Sequence, residues 1–304
     1  MTGNRKGLGY GVSAYLLWGL FPLYWPLLKP AGALEILAQR MVWSLILLGA
    51  VLAVTRGFGA VRRLMADRSR MALLTLAAVL VSINWGVYIW SVNSGHVVES
   101  SLGYFINPLF TIMLGVLVLK ERLSRAQWIA VGIATAAIVV LSVDYGRLPW
   151  IALTLAVTFG GYGFLKKQVS AGAVESLTVE TAVMAGPALV TLLVLAEQSR
   201  LAFGHAGSAN ALLLAATGVV TALPLLLFGA AARRLPLTSI GLLQYLAPVL
   251  QFGVGVGIRH EPMPPARLLG FALVWIALVV LTADALTRRH RNAGLARAAE
   301  AVAA

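Results

Sequence analysis

The sequence predicts an all-α integral membrane protein of about ten transmembrane helices, arranged as two inverted five-helix repeats. Composition is the first reason. Of its 304 residues 60% are hydrophobic and 12% charged, with a mean hydropathy of +0.86, against about 45–50% and about 25% in soluble domains. The second reason is repetition. The stretch ESSLGYFINPLFTIMLGVLVLKE, Glu99 to Glu121, returns in outline as SIGLLQYLAPVLQFGVGVGIRHE, Ser239 to Glu261, with Pro108 and Pro248 separated by 248 − 108 = 140 residues. The same step carries Gly115 onto Gly255, Glu121 onto Glu261, Glu35 onto Glu175 and AIVVLSVD at 137–144 onto ALVVLTAD at 277–284. Leu, Val and Ala coincide cheaply in apolar sequence, so the weight rests on Pro, Gly and acidic residues holding one offset, the mark of an internal duplication.

A span needs about 17–25 mostly apolar residues. Ten stretches qualify: Gly7–Leu27, Ala33–Val54, Met71–Val92, Ser101–Leu119, Gln127–Val143, Trp150–Leu165, Leu177–Ala196, Ala211–Ala231, Leu237–Ile258 and Arg267–Ala283. With the N-terminus inside, eighteen Lys and Arg fall in cytoplasmic connections and five, Lys29, Arg147, Arg200, Arg259 and Arg267, on the other side. That bias places both termini in the cytoplasm. The net charge of +13 therefore reports topology. Nucleic acid is excluded as a partner, because it would need the basic residues gathered on one face among aromatics.

The first span carries Trp18, Phe21, Tyr24 and Trp25 with Pro22 and Pro26, and it lacks a small-residue cleavage site, so it reads as a span and not as a signal peptide. Pro22 is expected to kink or break it. Its repeat counterpart, TFGGYGF at 158–164, holds three glycines beside Phe159 and Tyr162. Paired Gly/Pro interruptions in two halves point to a mid-membrane binding site; close helix approach is the alternative reading.

Span two contains Arg40, the basic residue well inside the apolar region. A central Arg costs about 2.5–3.5 kcal/mol on insertion scales, so it is expected to face protein or a water-filled cavity unless it snorkels to the interface. One repeat step on lies Glu180, an acid inside its own span. The two could bracket a cavity or take opposite ends of a zwitterion. In span three Asn84, Tyr88 and Ser91 share a face, suited to a cavity wall or to interhelical hydrogen bonds. Trp90 and Tyr104 sit where interfacial aromatics belong. Asn107 precedes Pro108, and Gln244 and Tyr245 precede Pro248; each proline frees the carbonyl four residues back, at Tyr104 and Gln244. Pro22, Pro108 and Pro248 are thus the expected helix breaks. Spans five and ten have featureless middles and are assigned to packing.

Five spans per half is an odd number, so the second half enters the membrane from the opposite side. The expected units are residues 1–147, 148–286 and a cytoplasmic tail, 287–304. Inverted halves supply two near-equivalent arrangements around one site, the physics of alternating access.

The runs WGLFPLYW, EILAQRMVWS, NWGVYIWSVN, SLGYFINPL, KER, FGGYGFLKK, ALPLLLF and LLQYLAP resemble the RarD branch of the EamA group in the drug/metabolite transporter superfamily, over nearly the whole chain. The resemblance implies ten helices in two inverted repeats, a bacterial plasma (inner) membrane location, and export of small metabolites or drugs, amphenicols among them. It also implies that helices one to four and six to nine surround the cavity. The family's glycine-glutamate pair stands here as Lys120-Glu121 and His260-Glu261, without its glycine.

No enzyme is expected: there is no Cys and no H-E-x-x-H, and His96, His205, His260 and His290 lie in loops or the tail. No cofactor or metal is expected. The cavity candidates are Arg40, Asn84, Tyr88, Asn107, Glu180, Gln244 and Tyr245, with Trp18, Phe21, Phe159 and Tyr162 as aromatic walls. The expected partners are a small-molecule substrate and the lipid bilayer. Proton coupling would fall to Glu180, whose carboxylate is partly desolvated. A lipid-flippase-like carrier and a non-transporting structural membrane protein are the rival readings; the sequence leaves the oligomeric state open.

Overall fold

A computed structural model of the chain describes residues 2–120, 123–169, 171–232, 234–235, 240 and 242–303, with side chains except at 2–4, 115, 118, 119, 167, 232 and 288–303. Glu121, Arg122 and Arg233, and residues 236–239 and 241 at the start of the expected ninth span, lie outside the described residues. Among the described residues every regular element is helical.

Proline and glycine chemistry sets the first bends. Helix α1 (Thr2–Gly19) gives way to α2 (Phe21–Tyr24) and a 3₁₀ turn (Trp25–Leu28), bent by 40°. Pro22 lies at the start of α2 and Pro26 at the start of the 3₁₀ turn, where a missing N–H does least harm. The expected kink is thus a real break. Helix α3 (Ala33–Thr55) ends on Arg56 at φ 53°, with the Gly57 amide returning to the Leu52 carbonyl at 2.9 Å, a left-handed cap that uses up a terminal carbonyl. The short amphipathic α4 (Phe58–Ala66) buries Val61 and Leu64 against Leu52, Leu74 and Val179. Asp67 then caps α5 (Arg68–Asn93) through the amides of Ser69 and Arg70.

Helix α6 (Val97–Leu119) continues through Pro108, which corrects the expected break there. A proline removes one ladder bond, and the turns on either side carry the helix on. Helix α7 (Arg125–Tyr145) opens with a reciprocal Ser124–Gln127 capping box and closes at Gly146. Then come α8 (Trp150–Val169), α9 (Ala173–Glu197) and α10 (Ser208–Ala232), the last two running through Pro187 and Pro224. Gln244 and Tyr245 form a turn before α11 (Leu246–Gly253); the chain therefore breaks just ahead of Pro248, which sits inside the first turn of α11. A π-helical turn (Val254–Ile258) and α12 (Pro265–Ala303) complete the chain.

Among the described residues seven helices are long and apolar enough to cross a membrane, or eight if the bent pair Arg5–Leu28 is one span. Two shorter apolar helices, Trp150–Lys166 and Leu246–Ile258, fall where the remaining two spans are expected. Three pairs of helix starts keep the sequence step: Ala33 and Ala173, Arg68 and Ser208, and Arg125 and Pro265 are each 140 apart (173 − 33, 208 − 68, 265 − 125), whereas α1 and α8 start 150 − 2 = 148 apart.

Helix α3 packs on α9 and α10, α5 and α6 pack on α8, and α1 packs on α10 and α11. Helices α7 and α12 pack on each other and onto α6, burying Leu141, Phe271, Val274 and Ala277 with Leu102 and Phe105. Two glycines allow the closest approaches. A Cβ at Gly103 would lie 2.7 Å from the Ala152 carbonyl oxygen, and one at Gly218 would lie 2.6 Å from that of Trp43, so α6 meets α8, and α10 meets α3, almost backbone to backbone.

Candidate functional site

Some of the polar residues buried in this apolar bundle form a row running from Arg40 to Glu180. Arg40 on α3 is 2% exposed. Its Nε donates to the Thr221 hydroxyl on α10 at 2.6 Å, and its guanidinium carbon stands 3.7 Å from the Trp85 ring centre, with Trp25 and Phe21 at 5.3 and 5.9 Å. Three aromatic faces and one hydroxyl replace the water that a guanidinium would otherwise hold. Snorkelling is excluded: the charge is in the interior.

Next to it, Tyr88 and Tyr104 are electrostatic neighbours of Arg40 and meet edge to face at 5.6 Å. Tyr104 is no interfacial aromatic, because its hydroxyl donates to Asn84 Oδ1 at 3.0 Å. The Asn84 amide donates to the Leu155 carbonyl and the Thr158 hydroxyl of α8, each at 3.0 Å. All the bonding capacity its amide nitrogen has is spent on joining α5 to α8. Tyr104 also meets Phe159 edge to face at 5.7 Å, and Phe159 lies 6.2 Å from Tyr162.

At the far end stands Glu180 on α9, 2% exposed. Lys166 Nζ reaches its Oε1 at 2.6 Å and also contacts the Ser176 hydroxyl; Tyr162 donates to Oε2 at 3.1 Å. Glu180 is therefore buried within the protein and ion-paired with Lys166, not with Arg40. The sequence reading missed Lys166, which it had counted only as a cytoplasmic charge. Its position three residues beyond the glycine cluster, on the last turns of an apolar helix, was the available clue.

The other candidates are distributed around this row. Phe21 covers Arg40 and packs on Trp25 at 5.1 Å. Asn107 is half-buried on α6; its Oδ1 has no partner among the described residues and lies 3.0 Å from where a Cβ on Gly160 would be. Trp18 belongs to a separate aromatic group with Tyr15 and Phe228, at 5.2 and 5.8 Å, and its carbonyl accepts from Gln251. Tyr245 is not brought to Arg40: its ring packs in the α7–α12 cluster.

Several carboxylates are committed to structure. Glu35 takes the Ala202 and Phe203 amides, Glu99 takes Arg147 in a two-pronged pair, and Asp144 takes Arg267. Glu261 accepts from the Val97 and Val98 amides at 2.6 and 2.8 Å, so a loop of the second half caps α6 of the first. Among the described residues no group of His, Asp or Glu is suited to a metal ion.

A multi-pass helical membrane protein with buried charges and aromatics at its centre is the architecture of a small-molecule transporter. The EamA-like transporter family model matches residues 5–143. A Protein RarD of Streptomyces exfoliatus is 57% identical over 99% of this chain and 96% of its own length. A Chloramphenicol-sensitive protein RarD of Pseudomonas aeruginosa is 30% identical over 96% of this chain and 99% of its own. A solved structure described as "Crystal structure of protein" superposes with a TM-score of 0.59 over 94% of this chain and 99% of that one, at 17% identity, a likeness of fold. The chain belongs to the RarD-type members of the EamA family in the drug/metabolite transporter superfamily, and is thus a membrane transporter.

Proposed function

We propose that the chain is an exporter of small metabolites of the amino-acid-like kind, or of amphenicol-type drugs, working by alternating access in the bacterial inner membrane with both termini cytoplasmic. The observation that carries this reading is the closed row from Arg40 through Tyr88, Tyr104 and Phe159 to Tyr162 and Glu180, held where α3, α5, α6, α8 and α9 pack together. Two inverted five-helix repeats, 1–147 and 148–286, give that row its two accesses. The common step of 140 between helix starts (173 − 33, 208 − 68, 265 − 125) supports them. So do the equivalent positions of Arg40 and Glu180: Trp25 covers the first, and Lys166, one repeat step from Pro26, holds the second. The name of the Pseudomonas relative favours keeping amphenicols among the substrates tested.

The test is uptake into, and efflux from, proteoliposomes of labelled amino acids and of chloramphenicol, with and without a pH gradient. Movement of one class that Arg40→Ala abolishes supports the reading; a panel that never moves under either gradient restores the structural rival. If transport follows the pH gradient, Glu180 is the proposed proton carrier, and Glu180→Gln uncouples the two.

A further inference from the structure

We infer that Arg40 and Tyr88 form a recognition site for a small organic carboxylate, an assignment that rests on the transporter reading and narrows its substrate class. The surroundings of Arg40 are electrostatically unbalanced. Arg40 keeps its charge in any protein environment, is buried, and has no carboxylate partner among the described residues. Its Nη1 has no hydrogen-bond partner among them. The nearby Tyr88 hydroxyl, on a side chain 3% exposed, has none either. A buried unpaired donor costs more than an average hydrogen bond returns, and an uncompensated buried charge costs more still. Both side chains pack among the same buried rings, Phe21 and Trp25, and both call for the same thing, an acceptor carrying negative charge.

The rest of the cage fits that ligand. Thr221 holds the Nε edge of the fork and leaves Nη1 for a carboxylate oxygen, while the Trp85 and Trp25 rings, 3.7 and 5.3 Å from the guanidinium carbon, supply apolar surface beside it. Among the described residues the buried carboxylates are committed elsewhere: Glu180, Glu99, Asp144, Glu35 and Glu261 each have other partners. A lipid headgroup is too shallow. Arg40 is 40 − 33 = 7 residues into α3, about 10 Å at 1.5 Å per residue.

The experiment uses the purified full chain in a neutral detergent, free of anionic lipid, with tryptophan fluorescence reporting both binding and thermal unfolding. Benzoate and benzamide, equal in shape and different in charge, are compared at constant ionic strength. Benzoate is expected to raise the melting temperature and shift the fluorescence, and benzamide to do neither. Tyr88→Phe, which removes one oxygen, is expected to weaken benzoate binding about tenfold with the unliganded melt preserved, and Arg40→Gln to abolish it. Equal responses to the two probes, benzoate binding unchanged in both variants, or saturation of the effect by phosphatidylglycerol alone would each overturn the assignment. The transporter reading fails separately: it falls if proteoliposomes move nothing, whereas Arg40-independent movement of neutral chloramphenicol sinks this site and leaves the transporter standing.

Discussion

Lys166 holds the Glu180 carboxylate at 2.6 Å inside the helical bundle, so the acid 140 residues on from Arg40 (180 − 40) is neutralised from the neighbouring helix α8. Charge balance in the two halves is therefore unequal. The second half pairs its buried acid within itself, while the first keeps a buried cation caged by aromatics and one hydroxyl.

Breaking the Lys166–Glu180 pair from one side strands a buried charge. Lys166→Met is expected to destabilise the protein by about 3 kcal/mol, and the double variant Lys166→Met/Glu180→Leu to recover most of that loss. A double-mutant cycle on unfolding in mild detergent checks it; additive losses would show that the contact is energetically idle.

Asn84 behaves as a fastener between helices. Asn84→Leu removes its bonds to Leu155, Thr158 and Tyr104 and is expected to cost about 1–2 kcal/mol, given roughly 0.6 kcal/mol for an average interhelical bond in a membrane. The expected signature is a lower melting temperature with substrate affinity per folded molecule unchanged. A selective loss of affinity would return Asn84 to the cavity wall.

At Gly103 a methyl group would meet the backbone of α8 2.7 Å away, and backbone does not give way as a side chain does. Gly103→Ala is expected to cost about 2–3 kcal/mol through overpacking. Gly163→Ala, with nothing within 4 Å of the new atom, serves as the control and is expected to be close to neutral in the same unfolding assay.

Lys120 and His260 both sit at φ 53°, the left-handed conformation that glycine adopts freely. The turn implied by the family's glycine-glutamate pair is thus kept by residues for which it costs about 1–2 kcal/mol. Setting this against the larger entropy that glycine loses on folding, His260→Gly is expected to gain about 0.5–1 kcal/mol in thermal unfolding.

The neighbouring Glu261 supplies a pH dependence. Burial raises its carboxyl above the ordinary 4.5, in spite of the opposing Val97 and Val98 amides. The folded chain then binds more protons than the unfolded one in that window, so this group's contribution is full below pH 4.5 and is lost as the pH rises through the elevated value. Unfolding measured from pH 4 to 8 in the parent and in Glu261→Gln checks the sign: the variant is expected to lose that portion of the slope.

By itself the sequence determined the membrane class, the positions of the apolar helices, the step of 140 that helix starts repeat (173 − 33) and the burial of Arg40, because hydropathy, Pro/Gly placement and charge bias act along the chain. Partner choice was decided by the tertiary structure. Arg40 finds Thr221 across 181 positions and Asn84 finds Thr158 across 74, and such meetings depend on how each helix is rotated and how closely its neighbours approach. A residue's place in a period tells which face it occupies; it does not tell what stands opposite. Tyr245 turned into the α7–α12 cluster and Glu180 toward Lys166 for that reason, while the step of 140, a property of the chain alone, reappears in three pairs of helix starts, Ala33 and Ala173 (173 − 33) among them.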